Sequence, residues 1–234
     1  MKTKVDAVAS PADQKLQQEF NQWAAAGRGD EMEGHHSDIT DQTLALMDLQ
    51  PADRVLDLGC GTGWASRRMA RLAREVVGLD VADEMLRRAA QASAGITNVR
   101  YVWGSAEKIP APDNHFTKVL SVESFYYYAD QGKALDELHR ALAPGGKLFI
   151  LINLYKDNHY SLRWMSELKV PVKALSEAEY KALLAKHGFS NVQARRIPDR
   201  SPSPETYSGK WFKNAEELRD FKRIGALLLI ATKR

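Results

Sequence analysis

The sequence predicts a doubly wound α/β domain with a mostly parallel, seven-stranded sheet, and three observations carry that expectation. Short apolar β-type runs alternate with helical patterns through the middle of the chain, as βαβ units require. The run Lys147 to Asn153 is apolar almost throughout, as a strand buried on both faces must be. A glycine cluster directly follows the first strand, and open α/β sheets bind their ligands outside such carboxyl ends.

Two helical patterns, residues 12–26 and 38–48, precede the sheet. Arg54 to Asp57 is the first strand. Trp64 to Leu72 places apolar Trp64, Ala65, Met69 and Leu72 between arginines at helical spacing. Glu75 to Asp80 is the second strand, followed by a helix through Met85 and Leu86, and Val99 to Trp103 and Phe116 to Val122 are the third and fourth strands. Gln131 to Leu142 is an amphipathic helix stopped by the turn Pro144-Gly145-Gly146, before the fifth strand, Lys147 to Asn153. A helix from Glu177 to His187 ends at Gly188, and Asn191 to Ile197 and Gly225 to Thr232 are the last two strands. Residues 198–224 between them open with Pro198, Pro202 and Pro204 and close with a short helix near Asn214 to Phe221; a connection of that length reads as a functional loop or lid. The expected organisation is therefore an N-terminal helical cap, residues 1–50, and a ligand-binding domain, residues 51–234. Its core is 51–153, with substrate-facing insertions at about 154–175 and 198–224.

The chain has 234 residues, a length that suits one large domain. No apolar run approaches the ~20 residues needed to cross a bilayer. Met1 to Asp13 carry two lysines with no apolar stretch behind them, so no export signal and a cytoplasmic location are expected. Cys60 is the single cysteine, which excludes an intramolecular disulfide, a cysteine-ligated iron–sulfur cluster and a Cys-rich zinc site. The net charge of +3 divides into −5 over residues 1–50, +1 over 51–155 and +7 over 156–234. Such ends either attract each other, meet an anion, or are simply solvated faces.

The decisive stretch is Val55-Leu-Asp-Leu-Gly-Cys-Gly-Thr-Gly63. Three glycines at alternate positions let the backbone turn sharply and approach a ligand without a Cβ in the way. The third glycine stands one residue early for a dinucleotide fingerprint, Trp64 holds the place of that fingerprint's last glycine, and the Lys-Ser/Thr of a P-loop is missing. A phosphate cradle is disfavoured. Asp57 stands where a carboxylate can face a ligand ammonium, and Asp80, seventeen residues after Gly63, ends the second strand, where an acid can bind both hydroxyls of a ribose. A ligand with a ribose and an ammonium but no phosphate is S-adenosylmethionine.

With VLDLGCGTGWASRRMA and VVGLD, the chain resembles the class I S-adenosylmethionine-dependent methyltransferases. The stretches Gly104 to Phe116, Val119 to Tyr127 and LHRALAPGGKLFI also resemble the family's segments around its third, fourth and fifth strands. The resemblance implies a Rossmann-like methyltransferase fold with S-adenosylmethionine as cofactor and S-adenosylhomocysteine as product. It implies Asp57, Gly59, Cys60, Gly61 and Gly63 around the methionine part, Asp80 on the ribose, Val81 and Met85 beside the adenine, and Ala106 and Glu107 near its edge, with Val122 also in the cofactor site. Where the family often has the aspartate that accepts the adenine amino group, this chain has Ser105.

Methyl transfer from a sulfonium is an in-line displacement, so alignment supplies much of the catalysis, and a base is needed only when the acceptor must lose a proton. Covalent pyrimidine methylation needs a cysteine nucleophile, and Cys60 is in the cofactor loop. Amino-methylation of bases in nucleic acid is disfavoured, and no DNA partner is expected, because Glu123-Ser124-Phe125-Tyr126 stands where such enzymes resemble one another in an Asn/Asp-Pro-Pro-Tyr/Phe turn. What remains is similar to the ubiquinone/menaquinone-biosynthesis and sterol-type branch, which implies a small-molecule acceptor methylated at O, N or an activated carbon. The catalytic candidates are Glu123, Tyr127 and His36, and the substrate-binding candidates are His35, Tyr126, Asn153, Tyr155, Trp164, Tyr207 and Trp211. No metal site is expected, since adjacent histidines on a helix point apart. Two alternatives stay open: an RNA or protein methyltransferase using the basic C-terminal third, and a non-catalytic S-adenosylmethionine-binding module.

Overall fold

The computed structural model describes residues 10–234; the expectation that Met1 to Asp13 carry no export signal lies mostly outside them. Among the described residues, no helix is long and apolar enough to cross a membrane. Seven strands form one sheet: β1 (Arg54–Leu58), β2 (Glu75–Asp80), β3 (Val99–Trp103), β4 (Phe116–Val122), β5 (Leu142–Ile152), β6 (Phe189–Ile197) and β7 (Ala226–Lys233). Their order is β3-β2-β1-β4-β5-β7-β6, parallel except for β7, which runs antiparallel to both neighbours. The helices are α1 (Pro11–Ala25), α2 (Arg28–Met47), α3 (Trp64–Met69), α4 (Asp83–Ala92), α5 (Gln131–Ala141), α6 (His159–Leu162), α7 (Glu177–Lys186) and α8 (Ala215–Ile224).

The period-2 alternation of strand side chains splits the interior into two layers. On β5, Leu148, Ile150 and Ile152 join the core that holds Leu135 and Leu138 of α5 with Tyr180 and Leu184 of α7. Phe149 and Leu151, pointing the other way, pack with Ile39 and Met47 of α2 and with Trp64 and Met69 of α3. The chain leaves β1 towards β2 on one side and reaches β4 on the other, so the strand order reverses between β1 and β4. A crevice opens at that reversal, outside the carboxyl ends.

Three boundaries differ from the sequence reading, each for a local reason. Helix α2 starts at Arg28, ten residues earlier than the apolar pattern indicates. Met32 is the only large apolar residue in 28–37, so no stripe marks this part; Arg68 ties it down instead, donating to Glu33, Ser37 and Asp41 at 3.1, 2.5 and 2.6 Å. Strand β5 begins at Leu142, which pairs with Phe116, and its register shifts across the Pro144-Gly145-Gly146 step before Lys147 pairs with Lys118. Strand β6 begins at Phe189 and bulges between Ser190 and Gln193, around Asn191 at φ 51°.

Helix α1 opens with a reciprocal cap: Ser10 Oγ accepts from Asp13 N, and Asp13 Oδ2 accepts from Ser10 N and Oγ, with Pro11 at the first helical position. Gly27, at φ 77°, then turns the chain from α1 into α2, an angle that glycine adopts without Cβ strain.

Candidate active site

One cavity of about 710 Å³ occupies the crevice, lined by the glycine loop, the exits of β2 and β4, α1, α2, α8 and the connections before α8. That is a size for small-molecule ligands. Gly59 sits at φ 73°, and a Cβ there would strike Ser124 Cβ at 2.5 Å; Ser124 Oγ itself donates to Leu58 O at 2.9 Å and so ties β4's exit to β1. Gly61, at φ 52°, faces open space where a Cβ would meet nothing within 4 Å. Its N–H donates to Asp80 Oδ2 at 2.9 Å, while Ala82 N donates to Oδ1 at 2.9 Å. Asp80 thus ties the loop to the β2 exit, and burial still holds its carboxyl above the ordinary range. Asp57 accepts from Ser66 Oγ at 2.5 Å, and burial pushes its pKa up to about 6. The Cys60 thiol is buried and pushed well up by the same desolvation, which leaves it protonated and inert as a nucleophile.

Across the cavity, Glu123 sits just past β4 in the left-handed region, φ 51°, which is uncommon for a side chain of this size. Its Oε1 accepts from Asn153 N at 2.6 Å and its Oε2 from Tyr126 Oη at 3.0 Å. Desolvation outweighs both donors and raises its pKa to about 7. The Tyr126 and Tyr127 phenols, with rings 4.6 Å apart, are also driven upward by burial and remain protonated donors. Phe20 of α1 meets the Tyr127 ring edge-on at 5.0 Å. His36 is lowered to about 4, chiefly by burial and then by His35, so its imidazole is neutral at physiological pH.

The far wall is aromatic. Trp164 stands 5.9 Å from Trp211 and 5.3 Å from Phe221, Phe212 lies 5.0 Å from Phe221, and Tyr207 lies 5.6 Å from Phe212. Lys222 of α8 pins the chain facing this wall, reaching Ser201 Oγ at 2.7 Å and Asp199 at 3.1 Å.

Most of the residues singled out from sequence come together in this one cavity: Asp57, Gly59, Cys60, Gly61, Asp80, Val81, Met85, Ala106, Val122, Glu123, Tyr126, Tyr127, His35, His36, Asn153, Trp164, Tyr207 and Trp211 all line it. Four stand elsewhere. Tyr155 is fully buried, with its hydroxyl donating to Gly225 O at 2.9 Å and Arg196 stacked 4.9 Å from its ring, so it is a core residue and not an acceptor contact. Glu107 turns away to accept from Asp130 N at 2.9 Å, next to the start of α5. Ser105 Oγ donates to Asp13 Oδ1 at 3.0 Å, and Gly63 opens α3 as its cap. Among the described residues, no group of three or more His, Cys, Asp or Glu could hold a metal ion.

Sequence reasoning missed Asp13, Phe20, Trp23, Thr62 and Phe212, which also line the cavity. Thr62 was legible, since it lies inside the glycine cluster. The Ser10-Pro-Ala-Asp13 box marks a helix start but does not reveal that Asp13 lines the cavity or that it accepts from Ser105, 92 residues away.

Residues 56–150 match the family model described as a methyltransferase domain. The chain is 30% identical to the Haloferax volcanii protein solved in complex with the Trm112 methyltransferase activator. That alignment covers 92% of this chain and 97% of the other, with a TM-score of 0.86. This chain belongs to the class I S-adenosylmethionine-dependent methyltransferases. S-adenosylmethionine is therefore the methyltransferase's cofactor. A second relative, the ubiquinone/menaquinone biosynthesis C-methyltransferase UbiE of Shewanella oneidensis, is 36% identical over 132 residues, covering 54% of this chain. The match takes in 52% of UbiE, so the chain spans about half the length of that curated relative. The geranyl diphosphate C-methyltransferase of Streptomyces coelicolor, solved with S-adenosyl-L-homocysteine, shares the fold at TM-score 0.74 and 16% identity over 97% of this chain and 99% of that one.

Proposed function

We propose that this methyltransferase moves the methyl group of S-adenosylmethionine to a small-molecule acceptor, at oxygen, nitrogen or an activated carbon. The observation that carries this reading is the cavity itself: one wall offers backbone and carboxylates, the other aromatic rings, and Glu123 stands between them. The residues fit the cofactor. The open face of Gly61 leaves room for close backbone approach, and half-buried Asp80, each oxygen of which already accepts one backbone N–H, keeps a lone pair on each for a hydroxyl donor. In this reading Asp57, Gly59, Cys60 and Gly61 surround the methionine part, Asp80 holds the ribose, and Val81, Met85 and Ala106 form the slot for the adenine.

The bound cofactor supplies an electrophilic methyl group on sulfur. That methyl would pass to the acceptor's nucleophilic atom, with the electron pair of the broken sulfur–carbon bond kept by sulfur. Glu123 takes the proton of an acceptor that must lose one; a pKa of about 7 suits both receiving and releasing it near neutrality. Tyr126 orients that carboxylate, and the neutral His36 gives the acceptor a second hydrogen-bonding partner. Trp164, Tyr207 and Trp211 exclude water and align the acceptor.

A second reading, methylation of an RNA or protein chain with an activator subunit, is favoured by the Trm112 partner of the Haloferax relative. One experiment separates the two. Methyl-deuterated S-adenosylmethionine is incubated with the protein and with the small-molecule, RNA and protein fractions of a cell extract in turn, and the label is traced by mass spectrometry. Label in a compound that passes a filter retaining macromolecules is the expected result; label confined to RNA or protein would overturn the proposal.

A further inference from the structure

Asp13 is the one carboxylate that α1 brings to the cavity wall, and its two oxygens do different work. Oδ2 is taken up in the helix cap, accepting from Ser10 N at 3.2 Å and Ser10 Oγ at 2.8 Å. Oδ1 accepts one hydrogen bond among the described residues, from Ser105 Oγ at 3.0 Å, on the loop that follows β3. Ser105 in turn accepts from Glu107 N at 3.2 Å, so its hydroxyl proton is directed at Asp13. A carboxylate oxygen has two lone pairs, and Oδ1 keeps one for a donor in the cavity. The neighbouring wall is an apolar slot lined by Leu16, Val81, Met85, Gly104 and Ala106. Helix α1 is held over that slot by Gln17 Nε2 on Asp83 Oδ2 at 3.0 Å and by Asn21 Oδ1, which accepts from Glu84 N at 3.0 Å.

We propose that Asp13, oriented by Ser10 and Ser105, accepts the exocyclic amino group of the cofactor's purine and thereby selects adenine over its 6-oxo counterpart. The acceptor that the loop after β3 lacks at Ser105 is supplied from the other end of the chain. A carboxylate at this point rewards an amino donor and repels a carbonyl oxygen, whereas an amide can donate to that oxygen. Cap helix α1 is then part of the cofactor site. The proposal rests on the ribose lying at Asp80 and is independent of which acceptor is methylated.

Calorimetric titration with S-adenosylhomocysteine and with its deaminated analogue, S-inosylhomocysteine, tests this. Wild-type protein should prefer the adenosyl compound by about tenfold or more, one charge-assisted hydrogen bond's worth. Asp13→Asn should bring the ratio to about one or invert it, through a new N–H to the 6-oxo group. Ser10→Ala removes one of the hydrogen bonds that orient Asp13 and should lower the wild-type ratio without abolishing it. Near-equal binding of the two compounds by the wild type would overturn the proposal without any variant. So would an Asp13→Asn protein, folded by circular dichroism, that loses affinity for both compounds equally, because Asp13 would then only anchor the helix. If instead Asp80→Ala leaves both affinities unchanged, the ribose placement itself fails, an outcome distinct from either of these.

Discussion

One wall of the cavity is made of backbone, the other of side chains. The glycine loop and the β2 exit line their side of the cavity with backbone and two carboxylates, buried Asp57 and half-buried Asp80, which accept hydrogen bonds from Ser66 and Gly61. The opposite wall is a set of rings, Trp164, Tyr207, Trp211, Phe212 and Phe221, carried on short helices and connections around α8. A cofactor common to a whole family can be held by a rigid backbone device, because its shape never changes. An acceptor that differs between relatives has to be met by side chains that can be exchanged without disturbing the sheet. Glu123 is the hinge of the comparison: it belongs to the strand framework by its place after β4, yet lines the cavity.

The largest effect expected is on Glu123. Glu123→Gln keeps the shape and the acceptor for Asn153 N, and turns the contact with Tyr126 Oη into one in which the amide donates, but it cannot take a proton, so kcat for an acceptor that must be deprotonated should fall by roughly 10²–10⁴-fold. In the wild type, kcat should rise with pH through about 7 as the carboxylate ionises, and the variant should lose that limb. Stability should move the opposite way. The folded-state pKa is raised above the ordinary glutamate value of 4.5, so Glu123's contribution is complete below that value and is lost as pH rises through about 7. Urea unfolding of Glu123→Gln should show a flatter decline between those limits. An unchanged slope would mean that Glu123 is already ionised when folded.

Opening the aromatic wall should have a smaller effect, confined to the acceptor. Trp211→Ala removes a ring from the acceptor side and should raise the acceptor KM by about 10–50-fold, roughly 1.5–2.5 kcal/mol of lost apolar contact. The KM for S-adenosylmethionine should stay within about twofold, and an equal rise in both would erase the distinction between the two walls.

The smallest effect is expected outside the cavity. Tyr155→Phe leaves the buried Gly225 carbonyl without its donor, at a cost of about 1–2 kcal/mol in stability, read as a lower Tm. Turnover of the folded protein should not change. A selective loss of acceptor binding would return Tyr155 to the site.

The same contrast governs what the sequence discloses. Val55 to Gly63 and Asp80 are readable because a backbone device leaves glycines and acids at fixed spacing. The strand framework is readable for a related reason, since strands such as Leu148 to Ile152 are buried on both faces and must be apolar. Asp13 was not readable, because nothing local announces a contact across 92 residues, and neither was the start of α2, whose residues 28–37 lack an apolar stripe. Tyr155 misled because an aromatic residue just past a strand end looks the same in sequence whether it turns into the cavity or, as here, into the core. The charge split had a partly local resolution: Glu33 and Asp41 of the acidic head pair with Arg68 of the core, while tail cations Lys156, Arg163 and Arg196 pair with tail acids Glu179, Glu217 and Glu177.

The most direct test of two separable walls is the calorimetric affinity for S-adenosylhomocysteine in Asp80→Ala and Trp211→Ala proteins beside the wild type. The Asp80 variant should bind about 30–150-fold more weakly, for a loss of ~2–3 kcal/mol in charge-assisted hydrogen bonds, and the Trp211 variant should bind as the wild type does. Unchanged binding by Asp80→Ala, or an equal loss in the two variants, would contradict the division.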